Sequence, residues 1–411
     1  MVFAELLAFR GTGAERVPTH FFRLQHLQMG YPIRMASSEE PAKAVSVATN
    51  RTPGYDVARA LALLGMVVIN YWHRLASDAD PSRLVNALER IEGRPAALFV
   101  VLAGAGVSLR SRRARREPEQ HARFERVALL KRAAVLMLVG LLNLHLSDYD
   151  ILHCYGAYLA LAVLLLTSRA VVLWLAALAS VGISVVLRIV FDYYSDLEFW
   201  SLSGFFSGVF FDGLYPVFPW MAFLVTGMLV GRLDLRSART LRRLLIAALP
   251  LCVIATVLTV LEGEVPEVFL DDLGYPGWLS SVPRPAGPMY VVGGAATAVT
   301  MICLCVFATE RRASAGWVTV LTATGQMAFT LYFLHELALE LPRRHEWLPE
   351  NSAEFAVAYA SGFYVLALMF SVWWRRRWAY GPLEGLIRQI TGRVGSAPWG
   401  GALLGSARDE E

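Results

Sequence analysis

The first long apolar segment of the chain carries a line of polar residues that simple membrane crossing would not need. It reads Tyr55-Asp-Val-Ala-Arg-Ala-Leu-Ala-Leu-Leu-Gly-Met-Val-Val-Ile-Asn-Tyr-Trp-His73. Asp56, Arg59, Leu63, Met66, Asn70 and His73 follow one another at steps of three or four residues. At about 100° per residue they share one stripe of a helix. A carboxylate and a guanidinium open the stripe, and an amide and an imidazole close it about 20 Å away. Facing lipid, such a stripe would cost several kcal/mol, so it must turn toward the bundle interior or a wet cavity. Asn70 and His73, as an i, i+3 pair, can act on one ligand. An imidazole titrates near pH 6.5 and suits proton transfer at neutral pH, and a neighbouring amide can donate to a developing oxyanion. The plainer alternative is a structural Asp56–Arg59 pair and a packing hydrogen bond at the other end. Four polar groups on one stripe favour a functional role.

Other candidates stand level with these. His145, Asp150 and His153 flank a short break between two apolar runs, on the side of His73, so Asp150 or His145 can orient its imidazole. Two histidines and an aspartate with a water also make a catalytic zinc set, but their spacing matches no metal motif, and no metal is expected. In a later apolar run Gln326, Thr330, Glu336 and Glu340 share about 120° of one face. Glu336 and Glu340 lie toward its outer end, where they can bind a polar acceptor or neutralise Arg188. His335 points to the other side on this reading.

The elements that must hold these residues are membrane helices. Residues are 56% hydrophobic and only 18% charged, with a mean hydropathy of +0.46. Apolar runs of about 15–22 residues, enough to cross a hydrocarbon core of about 30 Å, recur with short polar breaks. This excludes a soluble globular domain and gives no reason to expect a nucleic-acid partner. The fold class expected is all-α: a polytopic bundle of about ten transmembrane helices, over about 54–73, 95–110, 132–147, 150–167, 170–190, 214–231, 243–261, 288–308, 317–340 and 355–374. With the N-terminus inside, the inner loops hold about twenty arginines and lysines and the outer loops about seven. Both termini are then cytoplasmic. The four cysteines, Cys154, Cys252, Cys303 and Cys305, all fall in apolar runs and read as core packing.

Between the spans, residues 81–92 suit an interfacial amphipathic helix through Leu84, Val85, Leu88 and Ile91. Residues 191–213 are rich in aromatics, as a belt or a substrate-covering segment would be, and residues 262–287 are acidic and rich in Pro and Gly. No internal repeat is visible. The domain plan is an N-terminal cytoplasmic extension over 1–52, a transmembrane domain over 53–392 and a flexible tail over 393–411. The extension lacks a sustained period, and translation starting at Met35 would remove most of it. The first strongly apolar run is long enough to stay in the membrane, so no cleaved secretory signal is expected.

Several short motifs then line up in order. Arg59-Ala-Leu-Ala-Leu-Leu-Gly-Met-Val-Val-Ile-Asn70 resembles the opening helix of the bacterial YeiB-like membrane proteins. It is also similar to the catalytic domain of heparan-α-glucosaminide N-acetyltransferase, where an Arg-Gly-containing helix ends in Val-Asn-Tyr. The likeness continues through Glu92-Gly-Arg-Pro-Ala-Ala-Leu-Phe-Val-Val-Leu-Ala-Gly-Ala-Gly106, Asp150-Ile-Leu-His-Cys-Tyr-Gly156, Pro216-Val-Phe-Pro-Trp220, Gly325-Gln-Met-Ala-Phe-Thr-Leu-Tyr332 and Gly381-Pro-Leu-Glu384. It spans residues 55 to about 392. Three features depart from the family pattern: alanine at position 60, where glycine is common, a histidine nearer the helix than in the heparan enzyme, and no counterpart to the luminal extension of the animal enzyme.

The resemblance implies transfer of an acyl group, usually acetyl from acetyl-CoA, across a bacterial inner membrane to an acceptor outside. It matches Asn70 to the asparagine at the reaction centre and offers His73, by position, as the catalytic histidine. The expected catalytic set is therefore His73, Asn70, Asp150 and His145. For the three phosphates of the acyl-CoA co-substrate, Asp56, Arg59, Arg375, Arg376, Arg388 and the basic 110–132 loop are candidates, since guanidinium groups bind phosphate bidentately. Most of these arginines also serve as topology anchors; Arg59, inside a helix, needs a further reason. His153, Gln326, Thr330 and Glu336 are candidates for the acceptor, a sugar, an amino sugar or another small hydroxylated or amine compound. Membrane lipid is the other partner, and nothing in the sequence decides against a homodimer. The alternative is a secondary transporter of an anionic metabolite that uses the same stripe as its pathway.

Overall fold

The computed structural model describes residues 52–76, 79–147, 149–187, 197–264, 283, 286–348 and 352–391. The N-terminal extension with Met35, the C-terminal tail, Arg188 and most of the acidic 262–287 loop lie outside the described residues.

All regular structure among the described residues is helical. In chain order the elements are α1 (Pro53–Leu75), α2 (Arg83–Ile91), α3 (Arg94–Arg110), α4 (Arg112–Arg116), α5 (Pro118–Asn143), α6 (Leu152–Leu165), α7 (Ala170–Val185), α8 (Leu202–Ser207) and α9 (Val217–Val230). They continue with α10 (Ala238–Glu264), α11 (Pro288–Glu310), α12 (Gly316–Gln326), α13 (Ala328–Arg344), α14 (Ala353–Arg375) and α15 (Pro382–Ile390). Local chemistry accounts for the ends. Pro53 opens α1 where its missing N–H costs nothing, Asp56 lies in the positive first turn, and His73 and Arg74 lie in the negative last turn. Ser82 caps α2 by accepting from the Val85 N–H at 3.2 Å, and Val85 and Leu88 form its buried face.

Four helical segments are long and apolar enough to cross a membrane: Arg83–Arg110, Ala238–Glu262, Pro288–Glu310 and Ala353–Arg375. Two bent pairs, Leu202–Asp212 with Val217–Val230 and α12 with α13, bring the number to six if each counts as one span. The outward faces agree with lipid contact. Val171, Trp174, Leu175 and Leu178 of α7, and Ile246, Val253, Val257 and Leu261 of α10, are all exposed. Contiguous apolar surface on this scale does not survive in water. The chain is a multi-pass helical membrane protein.

Two expected spans differ in shape. The run over 132–147 is the second half of α5, which starts at Pro118. The run over 317–340 is not one helix: α12 and α13 meet at Met327 and are bent by 75°. Period counting does not register such a break, and the groups that cap it lie far along the chain. Glu384, at the start of α15, accepts hydrogen bonds from the Phe329 N–H (2.8 Å), the Thr330 N–H (3.0 Å) and the Thr330 hydroxyl (2.6 Å). These satisfy the first turn of α13, whose donors would otherwise lack partners.

The core wraps α1, which packs against α3, α11, α12, α13 and α14. A second tight contact joins α3 and α9. A Cβ on Gly104 would lie 1.9 Å from the Leu224 carbonyl oxygen, and one on Gly227 would lie 1.9 Å from that of Val101. Each glycine lets the other helix's backbone approach, the small-residue packing that membrane helices use where no hydrophobic driving force separates helix from lipid.

Candidate active site

A cleft opens at the C-terminal end of α1. Asn70, His73, Glu92, Tyr149, Tyr215 and Trp220 are among its lining residues. His73 has a carboxylate partner: its Nε2 lies 3.0 Å from Glu92 Oε1. The Tyr149 ring stacks on the imidazole at 5.2 Å and 9°. Glu92 reaches it because the chain turns sharply between α2 and α3 at Gly93, whose φ of 70° lies in the left-handed region that glycine tolerates. An ionised carboxylate only accepts, so the imidazole proton sits on Nε2 and Nδ1 is the basic nitrogen.

Asn70 is held from the opposite side by α13. Its amide nitrogen donates to Glu336 Oε1 at 3.3 Å and lies 3.1 Å from His335 Nε2. His335 is fully buried, its Nδ1 bonds to the Tyr332 carbonyl, and the Tyr71 hydroxyl donates to the His335 carbonyl at 3.0 Å. The amide nitrogen of Asn70 is thus engaged by protein, whereas Oδ1 has no hydrogen-bond partner among the described residues. One turn further on, Arg74 donates to Ser147 Oγ (3.1 Å) and to Glu340 Oε2 (2.6 Å). Glu340 also accepts from Arg343 (3.0 Å) and Arg344 (2.8 Å).

At the N-terminal end of α1 a second polar cluster forms. Arg59 Nη1 donates to Asp56 Oδ1 at 2.7 Å and stands 3.4 Å from the Gly325 carbonyl oxygen. Gln326 donates to Asp56 Oδ2 at 3.2 Å. The stripe on α1 therefore meets the broken α12–α13 helix at both ends, with Leu63 and Met66 buried between.

The predicted residues separate on this geometry. Asn70 and His73 share the cleft. The partner of the His73 imidazole is Glu92, not Asp150 or His145. His145 is exposed, its ring 5.1 Å from that of Trp200. Asp150 is buried and occupied locally: it accepts from Asn143 (2.9 Å) and the Leu152 N–H (2.9 Å), and lies 3.3 Å from His153 Nδ1. A buried carboxylate with three partners nearby braces the α5–α6 turn. Among the described residues no three His, Cys, Asp or Glu side chains form a group able to hold a metal.

Gln326 and Thr330 lie beside the helix break, bonded to Asp56 and Glu384, and neither lines the cleft. Glu336 serves Asn70, and His335, expected to point away, contacts Asn70 because the bend at Met327 re-aims α13. Arg375 donates to the Trp378 carbonyl at 3.1 Å, Arg376 is exposed, and the Arg388 guanidinium lies 4.4 Å over the Tyr380 ring. Glu92 and Glu384 escaped sequence reasoning as site and bracing residues. Both stand inside quoted motifs, but helical spacing cannot connect either to its partner.

Two family models match the chain. Residues 51–263 match the family model described as heparan-alpha-glucosaminide N-acetyltransferase, catalytic. Residues 231–393 match the one described as protein of unknown function (DUF418), the YeiB-like family. A search of curated proteins gives no match. The first match covers more than half of the 411 residues and holds the whole of α1 and the cleft residues from Met66 to Trp220, and the second holds the helix break and Glu384. The chain belongs to the family of the heparan-alpha-glucosaminide N-acetyltransferase catalytic domain, with a YeiB-like C-terminal part.

Proposed function

We propose that this protein is a membrane acyltransferase of a bacterial inner membrane. It moves an acyl group, acetyl in the simplest case, from cytoplasmic acyl-CoA to a hydroxyl or amine of a small sugar-like acceptor at the outer side. The observation that carries the reading is the cleft shared by His73 and Asn70, with Glu92 bonded to the imidazole. The topology that fits it has ten spans and both termini inside, so that Arg59 faces the donor side and His73 the acceptor side.

In this mechanism the acceptor's O–H or N–H lies against Asn70 and His73. His73 Nδ1 takes the proton as the oxygen or nitrogen bonds to the thioester carbonyl carbon, and Glu92 steadies the imidazolium that forms. The C–S bond then breaks and the CoA sulfur leaves, taking a proton back. Because the Asn70 amide nitrogen is engaged by Glu336, its role here is to accept a hydrogen bond through Oδ1 from a neighbouring hydroxyl of the acceptor, or from the second N–H of an attacking amine. This replaces the oxyanion donation expected from sequence. The aromatic walls from Tyr149, Tyr215 and Trp220 suit the apolar face of a sugar ring.

The test is release of CoA thiol by purified protein given acetyl-CoA and a panel of amines, amino sugars and sugars. His73→Ala should lower the rate about 10²–10⁴-fold, the usual worth of a positioned base, with the protein still folded. No thiol above the His73→Ala control with any acceptor refutes the reading.

One observation favours a second reading, transport of an anionic metabolite. Broken helices such as α12–α13 build substrate sites in transporters, and Asp56 and Gln326 lie at this break. That reading requires saturable uptake by vesicles that CoA thioesters do not change.

A further inference from the structure

Trp220, in the first turn of α9, lines the cleft and is 1% exposed. Its indole Nε1 is buried and has no hydrogen-bond partner among the described residues. Aromatic neighbours fix the ring in place: Tyr215 stands against it at 5.0 Å and 85°, Phe223 at 5.1 Å and 63°, and Tyr290 of α11 at 6.1 Å. An indole N–H can only donate, and a buried donor without an acceptor is costly, so folded proteins rarely keep one. The acceptor that this donor lacks can come from whatever fills the cleft.

A second observation is the polarity of the α1 side of the same cleft. Asn70 Oδ1 has no partner among the described residues and only accepts, and the basic Nδ1 of His73 accepts as well. One wall therefore offers acceptors and the other a donor. A hydroxylated occupant, whose O–H groups both donate and accept, satisfies the two walls together. An apolar occupant satisfies neither.

Charge narrows the class further. Glu92 brings a carboxylate into the cleft, and none of the described residues that line it is arginine or lysine. The two arginines that flank this region in sequence are engaged elsewhere. Arg74 donates to Glu340 and Ser147, and Arg94 to Thr259, Thr297 and the Arg90 carbonyl. A carboxylate or phosphate on the occupant would face Glu92 without a counter-charge.

We infer that Trp220 is a specificity-determining residue, whose indole N–H donates to a hydroxyl or ether oxygen of an acceptor that carries no negative charge. The inference rests on the acyl-transfer reading for what becomes of that compound, and on the cleft alone for what binds there.

The experiment uses the full chain in detergent, with the indole nitrogens of its eleven tryptophans labelled with nitrogen-15. The Trp220 signal is the one missing from Trp220→Phe, or from Trp220→Tyr where the first variant does not fold. D-glucose, D-glucosamine and myo-inositol are titrated, with cyclohexylamine as a ring without oxygen and glucose 6-phosphate as an anion. At least one of the three hydroxylated probes should move the Trp220 indole proton downfield, and cyclohexylamine should not. Glucose 6-phosphate should bind at least about tenfold more weakly than the tightest of the three. With acetyl-CoA present, Trp220→Phe should raise the KM for that probe about fivefold and change kcat by less than about twofold, as loss of a contact made equally before and during the reaction does. The inference is overturned if no hydroxylated probe moves the signal, if cyclohexylamine moves it as far, or if glucose 6-phosphate binds as tightly. CoA thiol released with cyclohexylamine as fast as with the hydroxylated probes would overturn it and leave the acyltransferase reading in place. A shifted Trp220 signal with no thiol release from any acceptor would sustain it and remove that reading.

Discussion

Glu384 is the most testable brace in the fold, because one side chain from α15 holds the break on which α12 and α13 turn. Glu384→Ala deletes three contacts: to the Phe329 N–H at 2.8 Å, the Thr330 N–H at 3.0 Å and the Thr330 hydroxyl at 2.6 Å. The group is part-buried, so each contact is worth about 1 kcal/mol net, the low side for a hydrogen bond to a charged acceptor. A carboxylate at a helix N-terminus adds about 0.5 kcal/mol through the helix dipole. The loss is then about 3.5 kcal/mol, or roughly 4 °C in the melting temperature of a chain of this size. Glu384→Gln keeps an oxygen for the two backbone donors and loses the charge, so its cost should be about 1 kcal/mol. Thermal unfolding of the purified protein in detergent, followed by tryptophan fluorescence, reads both. If Glu384→Ala melts within 1 °C of the unaltered protein, or Glu384→Gln is as damaging as Glu384→Ala, the capping account is wrong.

Glu92→Gln should lower kcat about 10²-fold with the KM for the acyl donor unchanged, since it alters the His73 imidazole and not the donor; an unchanged kcat in a steady-state thiol assay rejects Glu92 as its positioning residue. Glu340→Ala should cost about 3 kcal/mol by leaving Arg74, 11% exposed, without its carboxylate, whereas Arg344→Ala, at a position 53% exposed, should cost under about 1 kcal/mol; equal melting temperatures contradict this ordering. Gly227→Ala forces α3 and α9 apart and should cost about 3 kcal/mol or the folded yield, while Gly182→Ala, whose Cβ meets nothing within 4 Å, should be near neutral in the same size-exclusion and melting measurements.

Much of this protein was legible in its sequence because the membrane leaves few choices. With no water to satisfy backbone groups, each apolar run has to close its own hydrogen bonds as a helix, so hydropathy located the helical segments. The same rule made the stripe from Asp56 to His73 stand out, and the structure does turn Asp56, Asn70 and their neighbours into the bundle. Helical period also fixed which residues of α1 share a face, a purely local property.

What the stripe touches was decided elsewhere. Whether Glu92 or Asp150 meets His73 depends on how α2 and α3 fold back at Gly93, and residues 19 positions apart have no common period. The first turn of α13 after the bend at Met327 is capped by Glu384, which follows it by more than fifty residues, and beyond that bend His335 faces Asn70 while Gln326, before it, faces Asp56. Local spacing fixes the direction of a side chain from its own helix axis. Only tertiary packing fixes where that axis points, because the hydrogen bonds that aim it come from other parts of the chain.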